Sequence, residues 1–449
     1  MERRDFLKAS ALGAAGLMVP AGMLRGATPA APAAKSARKA ASDKIHLGFI
    51  GLGQQAMYLL QGFMSMDDVR VVAGCDVYDI KRNRFERRVK DYYGKKGEKK
   101  VKVDLYEDYQ DLLARPDIDA VVIATPDHQH AVIAIAACKA GKDVYLEKPL
   151  TLTIYEGQQL VKAVRKYSRI LQVGSQQRSS EEFIHAANLA REGELGTIRK
   201  VKVYVGRNNV NPTSPAPAPN NLPKMEVPAG LNWDKWLGPL PTSVHYHSDF
   251  DPIITETQDE QLWGAWRWYK VSGGGLMTDW GAHMFDVAQW ALGKDLTGPV
   301  EVIPPGYSFY DHLTYRYDNG VIVSEEPFDG STPGVQIYGD EGWIKVSRGK
   351  FEASDKKFDM TAAAGDDSVP YETKVGHHRA FIEAVKSRID PNVPVEVGHS
   401  SCTVCNLGNI AMELGRPVVW NPIVQKFMHD PEATKLLHYD YRPGYSLDV

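Results

Sequence analysis

Between about residues 43 and 175, short apolar runs alternate with amphipathic stretches of helical periodicity. The apolar runs read KIHLGFIGLG, VRVVAGCDV, IDAVVIATP, GKDVYLEKP and SRILQVG. Strands that alternate with helices of roughly 10–15 residues indicate βαβ units and a parallel sheet. We therefore predict a doubly wound α/β domain over residues 43–175, a fold that binds nucleotides at one edge of its sheet.

After residue 176 the pattern changes to strands in which apolar and polar residues alternate. The segments GTIRKVKVYVGR, HLTYRYDNGVIVSEEP and GVQIYGDEGWIKVS carry turn signals such as DNG and GDEG. This pattern predicts an α+β domain over residues 176–449 with a large, open and mostly antiparallel sheet. Two helices over residues 376–414 should pack near the end of the chain.

An irregular stretch over residues 207–270 interrupts this second domain and is rich in proline, asparagine and aromatic residues. Connections this long inside a compact domain are usually either functional or disordered. The tryptophans in the stretch argue against disorder, so we expect a functional insert.

Residues 1–42 differ from both domains. Arg3 and Arg4 precede a weakly apolar run of alanine, glycine and leucine, and an Ala/Pro-rich linker follows. The segment resembles a twin-arginine (Tat) export signal, although Glu2 stands where Ser or Thr is usual. The alternative is a disordered basic tail. The resemblance implies a periplasmic protein, exported already folded, with no stable membrane insertion after signal removal, because the apolar run is too short for a good span.

Composition and charge exclude several classes of protein. The chain has 449 residues, 43% of them hydrophobic and 24% charged, with a net charge of −3. These values fit a globular chain of two domains and give no basic patch for nucleic acid or membrane lipid. Cys402 and Cys405 have CxxC spacing, but no second pair exists to complete a zinc site. The pair lies in an apolar-periodic helix, so we expect packed free thiols and no metal.

The first strand ends in a glycine-rich turn. Gly51 and Gly53 are followed by Ala56 in the pattern G-x-G-x-x-A, and Gln54 and Gln55 begin the next helix. Gly51 would form the tight turn, and Gly53 would let a pyrophosphate approach the helix N-terminus. The pattern alone is weak and could be a turn without a ligand, but its position in the first βαβ unit predicts a dinucleotide site.

The second strand ends at Asp76, where an acidic residue can bind the ribose hydroxyls of NAD. The same carboxylate would repel a 2′-phosphate. Arg82 and Arg84 lie nearby, so NADP stays possible.

The next strand ends carry further candidates for the cofactor site. Thr125, Pro126 and His130 belong to ATPDHQH, and Glu147 and Lys148 belong to YLEKP. Ligands bind outside the carboxyl ends of strands in an open α/β sheet, so these residues should lie where a nicotinamide ring would sit. A solvated surface lysine could occupy the same place.

The segment GGGLMTDWGAHMFDVAQWALG predicts a helix with a chemical face. Asp279, His283, Asp286 and Trp290 fall at i, i+4, i+7 and i+11. A carboxylate one turn from an imidazole can fix its tautomer and stabilise its cation, as a general base for an alcohol requires. An Asp-x-x-x-His pair is also common on protein surfaces.

Together, GFIGLGQQA, ATPDHQH, EKP and TDWGAHMFD resemble the Gfo/Idh/MocA family of dinucleotide-dependent oxidoreductases. The resemblance runs from about residue 44 to the C-terminus, with the insert as its least typical part. It implies a Rossmann domain, a C-terminal α/β domain whose open sheet often forms an oligomer interface, and activity on a sugar or cyclitol hydroxyl. It further implies that Lys148 contacts substrate and nicotinamide, that His283 is the base and that Asp279 is its partner.

The substrate side is expected to be aromatic and basic, since sugar faces stack on rings and arginine binds hydroxyl or carboxylate groups. Any single tryptophan could instead plug a loop, and histidines in GHHRAF could be structural. The candidates are Trp263, Trp266, Arg267, Trp268, Arg178 and His378.

The sequence thus predicts an exported NAD(P)-dependent oxidoreductase with a tightly bound cofactor, because an exported enzyme has no free supply. The main alternative is a glycoside hydrolase or lyase of the same family that acts through transient oxidation at C3. Such enzymes tend to replace the lysine of EKP, so Lys148 favours net oxidation or reduction. A catalytically inert carbohydrate-binding protein is the third interpretation.

Overall fold

A computed structural model describes residues 44–207, 222–252, 264–328, 332–360 and 375–449. The predicted signal and linker over residues 1–42, parts of the insert and Trp263 lie outside these ranges. Within them, no helix has the length and apolar character needed to cross a membrane. The described residues also contain no group of three or more His, Cys, Asp or Glu side chains that could hold a metal ion.

The first sheet has six parallel strands in the order β3-β2-β1-β4-β5-β6, as a doubly wound fold requires. Strands such as β4 are buried along their whole length, because helices cover both faces of a parallel sheet. The strands are β1 Ile45–Ile50, β2 Val69–Cys75, β3 Asp104–Tyr106, β4 Ala120–Ile123, β5 Asp143–Leu146 and β6 Leu171–Val173.

Five helices alternate with these strands. They are α1 Gln54–Met64, α2 Asp79–Lys95, α3 Tyr109–Leu113, α4 Asp127–Lys139 and α5 Ile154–Lys166. Helix α5 begins at a capping box, in which Thr153 accepts from the amide of Glu156 and Glu156 accepts from the amide of Thr153. The predicted α/β class and parallel sheet are confirmed.

The second sheet has nine strands in the order β13-β12-β11-β7-β10-β9-β8-β14-β15. Strand β7 pairs in parallel with β10, and the other pairs are antiparallel. The strands are β7 Ile198–Tyr204, β8 Glu301–Ile303, β9 Leu313–Arg316, β10 Ile322–Glu325, β11 Gly334–Gly339, β12 Gly342–Ser347, β13 Lys350–Ala353, β14 Val418–Asn421 and β15 Lys426–Phe427. The predicted mostly antiparallel sheet is confirmed.

The remaining helices pack on this sheet or join it to the first one. They are α6 Glu181–Arg191, α7 Trp233–Leu237, α8 Gly275–Asp279, α9 Gly281–Ala291, α10 Val375–Ser387, α11 Val395–Leu414 and α12 Pro431–Lys435. Phe285 of α9 is fully buried with Val203 and Ile337 of the sheet. Phe381 of α10 instead packs with Phe63 in the core of the first sheet. The chain therefore returns to its first domain late, and the predicted division at residue 175 stays a prediction.

Helix α11 carries the CxxC pair. Cys402 and Cys405 are buried and form no disulfide. Burial raises the pKa of the Cys402 thiol to about 11 and also raises the pKa of the Cys405 thiol well above its ordinary value. Both side chains act as small apolar packing groups in the core, as the periodicity of the helix predicts.

Candidate active site

A cavity of about 960 Å³ runs along the carboxyl ends of the first sheet, between that sheet and the insert. Fourteen of the sequence-predicted site residues line it. They are Gly51, Gly53, Gln54, Gln55, Asp76, Thr125, Pro126, Glu147, Lys148, Trp266, Arg267, Trp268, Asp279 and His283. Residues from both predicted domains therefore meet at one place.

The glycine turn has the shape that a dinucleotide needs. Gly51 has a φ of +79°, and a Cβ there would come within 2.8 Å of the Ala124 carbonyl group. Gly53 is different, because a Cβ there would meet no described atom within 4 Å and would enter the cavity. Among the described residues, the buried Thr125 hydroxyl also lacks a hydrogen-bond partner. Open space at the start of α1 and an unused polar group beside it fit a bound pyrophosphate.

Asp76 anchors this turn to the end of β2. Its carboxylate accepts the amide of Leu52 at 2.7 Å and that of Tyr78 at 2.9 Å. The guanidinium of Arg84, fully buried, donates to the Leu52 carbonyl at 2.8 Å. Arg82 donates to the Asp76 carbonyl at 2.5 Å. Asp76 faces the cavity, whereas Arg84 serves the turn from inside the fold.

Glu147 is a buried carboxyl that holds two carboxamides together. It accepts from Gln55 at 3.1 Å and from Gln176 at 2.9 Å. Burial raises its pKa to about 7, despite the opposing effect of Lys148. A Cβ at Gly174 would lie 2.6 Å from the Glu147 carboxylate, so glycine is needed to admit it. Glu147 thereby fixes the end of β5, from which Lys148 enters the cavity.

Lys148 is paired with Asp279. Its Nζ lies 2.6 Å from Oδ1 of Asp279 and 3.2 Å from the backbone oxygen of the same residue. Arg267 Nε lies 3.9 Å from the same carboxylate oxygen. Burial alone would raise the pKa of Asp279, but the two cations outweigh it and lower the pKa below its ordinary value. Asp279 is therefore an ionised anchor for the lysine.

The predicted Asp279–His283 pairing is wrong, although both side chains line the cavity. The helix is interrupted at Trp280, between α8 and α9, and the Asp279 carboxylate turns toward Lys148. His283 instead lies 3.4 Å, Nε2 to Nη2, from Arg348. A guanidinium can only donate, so Nε2 is the acceptor and Nδ1 carries the proton.

The imidazole of His283 is neutral. Burial lowers its pKa well below the ordinary value, and Lys148 and Arg348 lower it further. Nδ1 has no hydrogen-bond partner among the described residues. Arg348 comes from the turn between β12 and β13, with its guanidinium 4.9 Å from the Trp280 ring. Sequence reasoning missed Arg348, and the only signal was an Arg-Gly pair after a strand.

Three predicted site residues do not reach the cavity. His130 is buried, with Nδ1 2.8 Å from the Pro149 carbonyl and Nε2 2.9 Å from the Thr125 carbonyl. Burial lowers its pKa to about 4, and the neutral ring, which carries a single N–H, can donate to only one of these two carbonyls. It therefore does not line the place predicted for the nicotinamide.

Arg178 and His378 are also structural rather than substrate-binding. Arg178 is buried and bound at 2.7 Å by both Asp286 and Asp295. His378 is fully buried, with its ring centroid 4.6 Å from that of Phe63. Both side chains are buried in the interior of the protein, and neither lines the cavity.

The aromatic part of the insert does line the cavity. Trp266, Arg267 and Trp268 form a 3₁₀ turn over Ala265–Trp268. The Arg267 guanidinium lies 4.6 Å from the Trp266 ring centroid and 5.9 Å from that of Trp268. A cation held on aromatic rings beside Asp279 gives the cavity both apolar faces and hydrogen-bond donors.

Taken together, the site offers an ammonium group, a neutral imidazole and a carboxylate beside a dinucleotide-shaped groove. Lys148 can donate to an oxygen, and His283 can accept a proton at Nε2. Asp279 holds the ammonium in place.

Two models of one oxidoreductase family match the chain. The NAD-binding Rossmann-fold model of the GFO_IDH_MocA family covers residues 45–175, and the C-terminal alpha/beta domain model covers residues 216–447.

Curated relatives have two kinds of name. A glycosyl hydrolase family 109 protein of Shewanella baltica is 29% identical over 207 residues, which are 44% of this chain and 44% of the relative. YrbE of Bacillus subtilis, an uncharacterized oxidoreductase, is 24% identical over 334 residues, 69% of this chain and 76% of the relative. The chain thus matches less than half the length of the Shewanella protein.

Solved structures share the fold over most of the chain. The WlbA dehydrogenase of Bordetella pertussis, in complex with NADH and UDP-GlcNAcA, has a TM-score of 0.58 at 17% identity and covers 84% of this chain and 99% of its own. A scyllo-inositol dehydrogenase of Lactobacillus casei, with NAD(H) and scyllo-inositol, has a TM-score of 0.56 at 17% identity with the same coverage. At these identities the likeness shows the fold.

Proposed function

The chain belongs to the Gfo/Idh/MocA oxidoreductase family, and from this premise we propose that it is an exported NAD-dependent oxidoreductase acting on a hydroxyl of a sugar, glycoside or cyclitol. One observation carries the proposal. The Lys148–Asp279 pair, 2.6 Å apart, and His283 line the same cavity as the glycine turn.

The residues at the cavity fit NAD. When bound, NAD supplies an acceptor for a hydride. Gly53 and the start of α1 would hold the pyrophosphate, and the Asp76 carboxylate would hold the ribose hydroxyls. Because Arg84 is buried under the glycine turn and Asp76 faces the cavity, we favour NAD, with NADP as the less suited cofactor. The cofactor is proposed to stay tightly bound, since an exported enzyme has no free supply. A carbonyl compound would then have to take the hydride back from the reduced cofactor before the next turnover.

The side chains divide the work on the substrate. Lys148 Nζ donates a hydrogen bond to the substrate oxygen and stabilises negative charge there. His283 Nε2 accepts the hydroxyl proton once Arg348, which now lies 3.4 Å away, has yielded that position. Asp279 keeps the ammonium oriented. Trp266 and Arg267 offer a stacking face and donors to the rest of the sugar.

Location and assembly belong to the same proposal. The twin-arginine pattern at Arg3 and Arg4 supports export to the periplasm. The nine-stranded sheet supports association between copies of the chain. Lys200, Ile322 and Arg316 lie side by side on its partly exposed face. A carbohydrate is the proposed small-molecule partner.

A second candidate is a glycoside hydrolase that cleaves its substrate through transient oxidation. The observation in its favour is similarity to proteins named for that activity, including an alpha-N-acetylgalactosaminidase of Shewanella oneidensis, 29% identical over 210 residues. The matched region is 44% of that relative, and the lysine at position 148 argues for net oxidation or reduction instead.

Mass spectrometry and paired assays test the proposal. The purified protein is denatured, and the released cofactor is identified by mass. The intact protein is then offered sugars and inositols, followed by NADH absorbance, and aryl glycosides, followed by aryl release. Hydroxyl-dependent NADH formation supports an oxidoreductase, and aryl release without net NADH supports the hydrolase. A protein that contains no dinucleotide and binds none in titration would refute both.

A further inference from the structure

A segment of the insert crosses the first sheet at the ends of β2 and β3. We call residues 230–252 the strap. Tyr78 and Leu231 form an antiparallel bridge, and the Asn232 amide donates to the Val77 carbonyl at 2.9 Å. The Asp79 amide donates to the Gly230 carbonyl at 3.1 Å. The strap is therefore fixed by backbone hydrogen bonds beside Asp76.

Polar side chains extend this attachment to the end of β3. Lys235 Nζ lies 3.3 Å from Glu107 and 3.2 Å from Asp108. Asn232 donates to Glu107 at 2.7 Å. The Asn232 contact and then Lys235 lower the pKa of Glu107, so its carboxylate stays ionised. These ion pairs are partly exposed, so salt should weaken them.

The far end of the strap is held by a buried ion pair. Lys81 Nζ lies 2.6 Å from Asp251, and their side chains are only 10% and 5% exposed. The Tyr246 hydroxyl donates to the Asp251 carbonyl at 2.9 Å. Breaking a buried pair leaves a charge without its partner, which is costly. This end therefore resists opening more than the Lys235 end.

The C-terminal tail, residues 438–449, closes the neighbouring side. Arg442 binds Asp234 of the strap at 2.6 Å, and the Tyr441 hydroxyl donates to Glu156 at 2.6 Å. Beyond these anchors, Tyr445 and Ser446 line the main cavity together with Tyr109. The tail is thus joined to the strap and presents an aromatic ring to the same end of the cavity.

We infer that the strap and the C-terminal tail complete the adenosine half of the cofactor site and hold the dinucleotide through successive turnovers. The inference rests on the proposed cofactor. Lys81, Lys235 and Asp251 of this region line the cavity with Tyr109 and Tyr445. Aromatic rings such as those of Tyr109 and Tyr445 suit an adenine base. Release of the dinucleotide then requires the strap to detach from Val77 and Glu107.

The dissociation rate of NADH tests the inference. The protein is loaded with NADH, mixed with excess NAD, and followed by the loss of NADH fluorescence. The double variant Asn232→Ala/Lys235→Gln should release NADH roughly 10-fold faster or more, because it loses the side-chain contacts that hold the strap to Glu107 and Asp108. Tyr445→Ala should also accelerate release and leaves the strap contacts in place. Higher salt should speed release from the wild type and less from the double variant.

Lys90→Gln is the matched control, since Lys90 makes an exposed ion pair with Glu86 at 2.7 Å. Its release rate should equal that of the wild type. Hydrogen exchange should show protection of residues 230–237 when NADH binds, which also reports on the fold of each variant. If the double variant and Tyr445→Ala both bind NADH and release it at the wild-type rate, the inference is overturned but the proposed function is not. A wild-type protein that binds no NADH would overturn the proposed function as well.

Discussion

The two ends of the cavity are built in different ways. At the reaction end, Lys148, Asp279 and His283 come from the end of one strand and from one broken helix. At the adenosine end, Asp76 belongs to the Rossmann domain, whereas Lys235 and Tyr445 come from the insert and the C-terminal tail. The first end is specified by short motifs, and the second by contacts between distant parts of the chain.

This difference suggests that one end of the cavity carries out the reaction and that the other end retains the cofactor. The groups at the reaction end are few: the Lys148–Asp279 ion pair, 2.6 Å apart, and the neutral imidazole of His283. The adenosine end has backbone pairing and several ion pairs. We therefore expect changes at the reaction end to alter turnover with little effect on cofactor binding. Changes at the adenosine end should do the reverse.

The largest expected effect is on turnover at the reaction end. Lys148→Met and His283→Ala should each lower kcat by roughly 10²-fold or more, the usual size of a lost acid–base group. Asp279→Asn should cost less, since its remaining oxygen still accepts from Lys148. All three variants should bind NADH as the wild type does. Initial rates on the best sugar substrate and an NADH titration measure both properties.

Lys162→Met serves as the control for this series, because Lys162 is an exposed lysine of α5 outside the cavity lining. It should leave kcat unchanged. If Lys148→Met abolished NADH formation but spared aryl release from a glycoside, the net reaction would be cleavage. Unchanged turnover in all variants would remove the three residues from the site.

The pyrophosphate position lies between the two ends, and Gly53→Val should block it. The φ of Gly53 is −71°, which any residue can adopt, and its Cβ would meet only open space in the described structure. We expect an unchanged Tm and an NADH Kd raised by about 10-fold or more, as for an overfilled site. Gly94→Val is the control, since its Cβ also has open space. An unaltered NADH Kd for Gly53→Val would place the dinucleotide elsewhere.

Asp76→Ala, at the adenosine end, is expected to have a smaller effect on cofactor affinity. The carboxylate binds the Leu52 and Tyr78 amides, so its loss should loosen the glycine turn and weaken both cofactors. NAD should lose roughly 10-fold in affinity and NADP less, because removal of the carboxylate also removes repulsion of the 2′-phosphate. Parallel titrations with both cofactors measure the ratio. Equal losses would exclude Asp76 from the ribose site.

Sequence patterns predicted the fold class, the family and the lining of the reaction end. The glycine turn, Lys148 and His283 were found because each sits at a fixed distance from a strand or helix end. The partner of Asp279 was not found, since Lys148 is 131 positions away. The same holds for the strap, where Lys81 and Asp251 are separated by 170 positions. Such contacts depend on how two domains pack, and the local hydrophobic periodicity of the sequence carries no information about that packing.

Burial explains the other errors. His130, Arg178 and His378 have the residue types of a binding site, but a local pattern does not tell which face of a loop or helix looks inward. In the structure the side chain of each of these residues is buried in the protein interior. Their neighbours in sequence reach the cavity in two cases, namely Gln129 next to His130 and Gln176 two residues before Arg178, but not beside His378.

The smallest effect on the site is expected from the buried histidines, which make the stability of the protein depend on pH. Burial lowers the pKa of His128, His130 and His377 to about 4 and that of His378 to about 3. An unfolded chain binds these protons below about pH 6.5, whereas the folded chain does not until pH 3–4. Stability from this source is therefore fully present above pH 6.5 and is lost as the pH falls toward 4. Each histidine contributes up to about 1.4 kcal/mol per pH unit to that slope.

His378→Phe should remove one such contribution, because the side chain lies between the rings of Phe63 and Tyr145, where an apolar ring can take its place. Urea unfolding at pH 4.5, 5.5 and 6.5 should give a shallower dependence of the unfolding free energy on pH than in the wild type. NADH binding and turnover should not change at pH 7, since this histidine lies behind the first sheet and away from both ends of the cavity. A normal pH slope combined with weakened substrate binding would restore His378 to the substrate site and would show that the cavity extends beyond the two ends compared above.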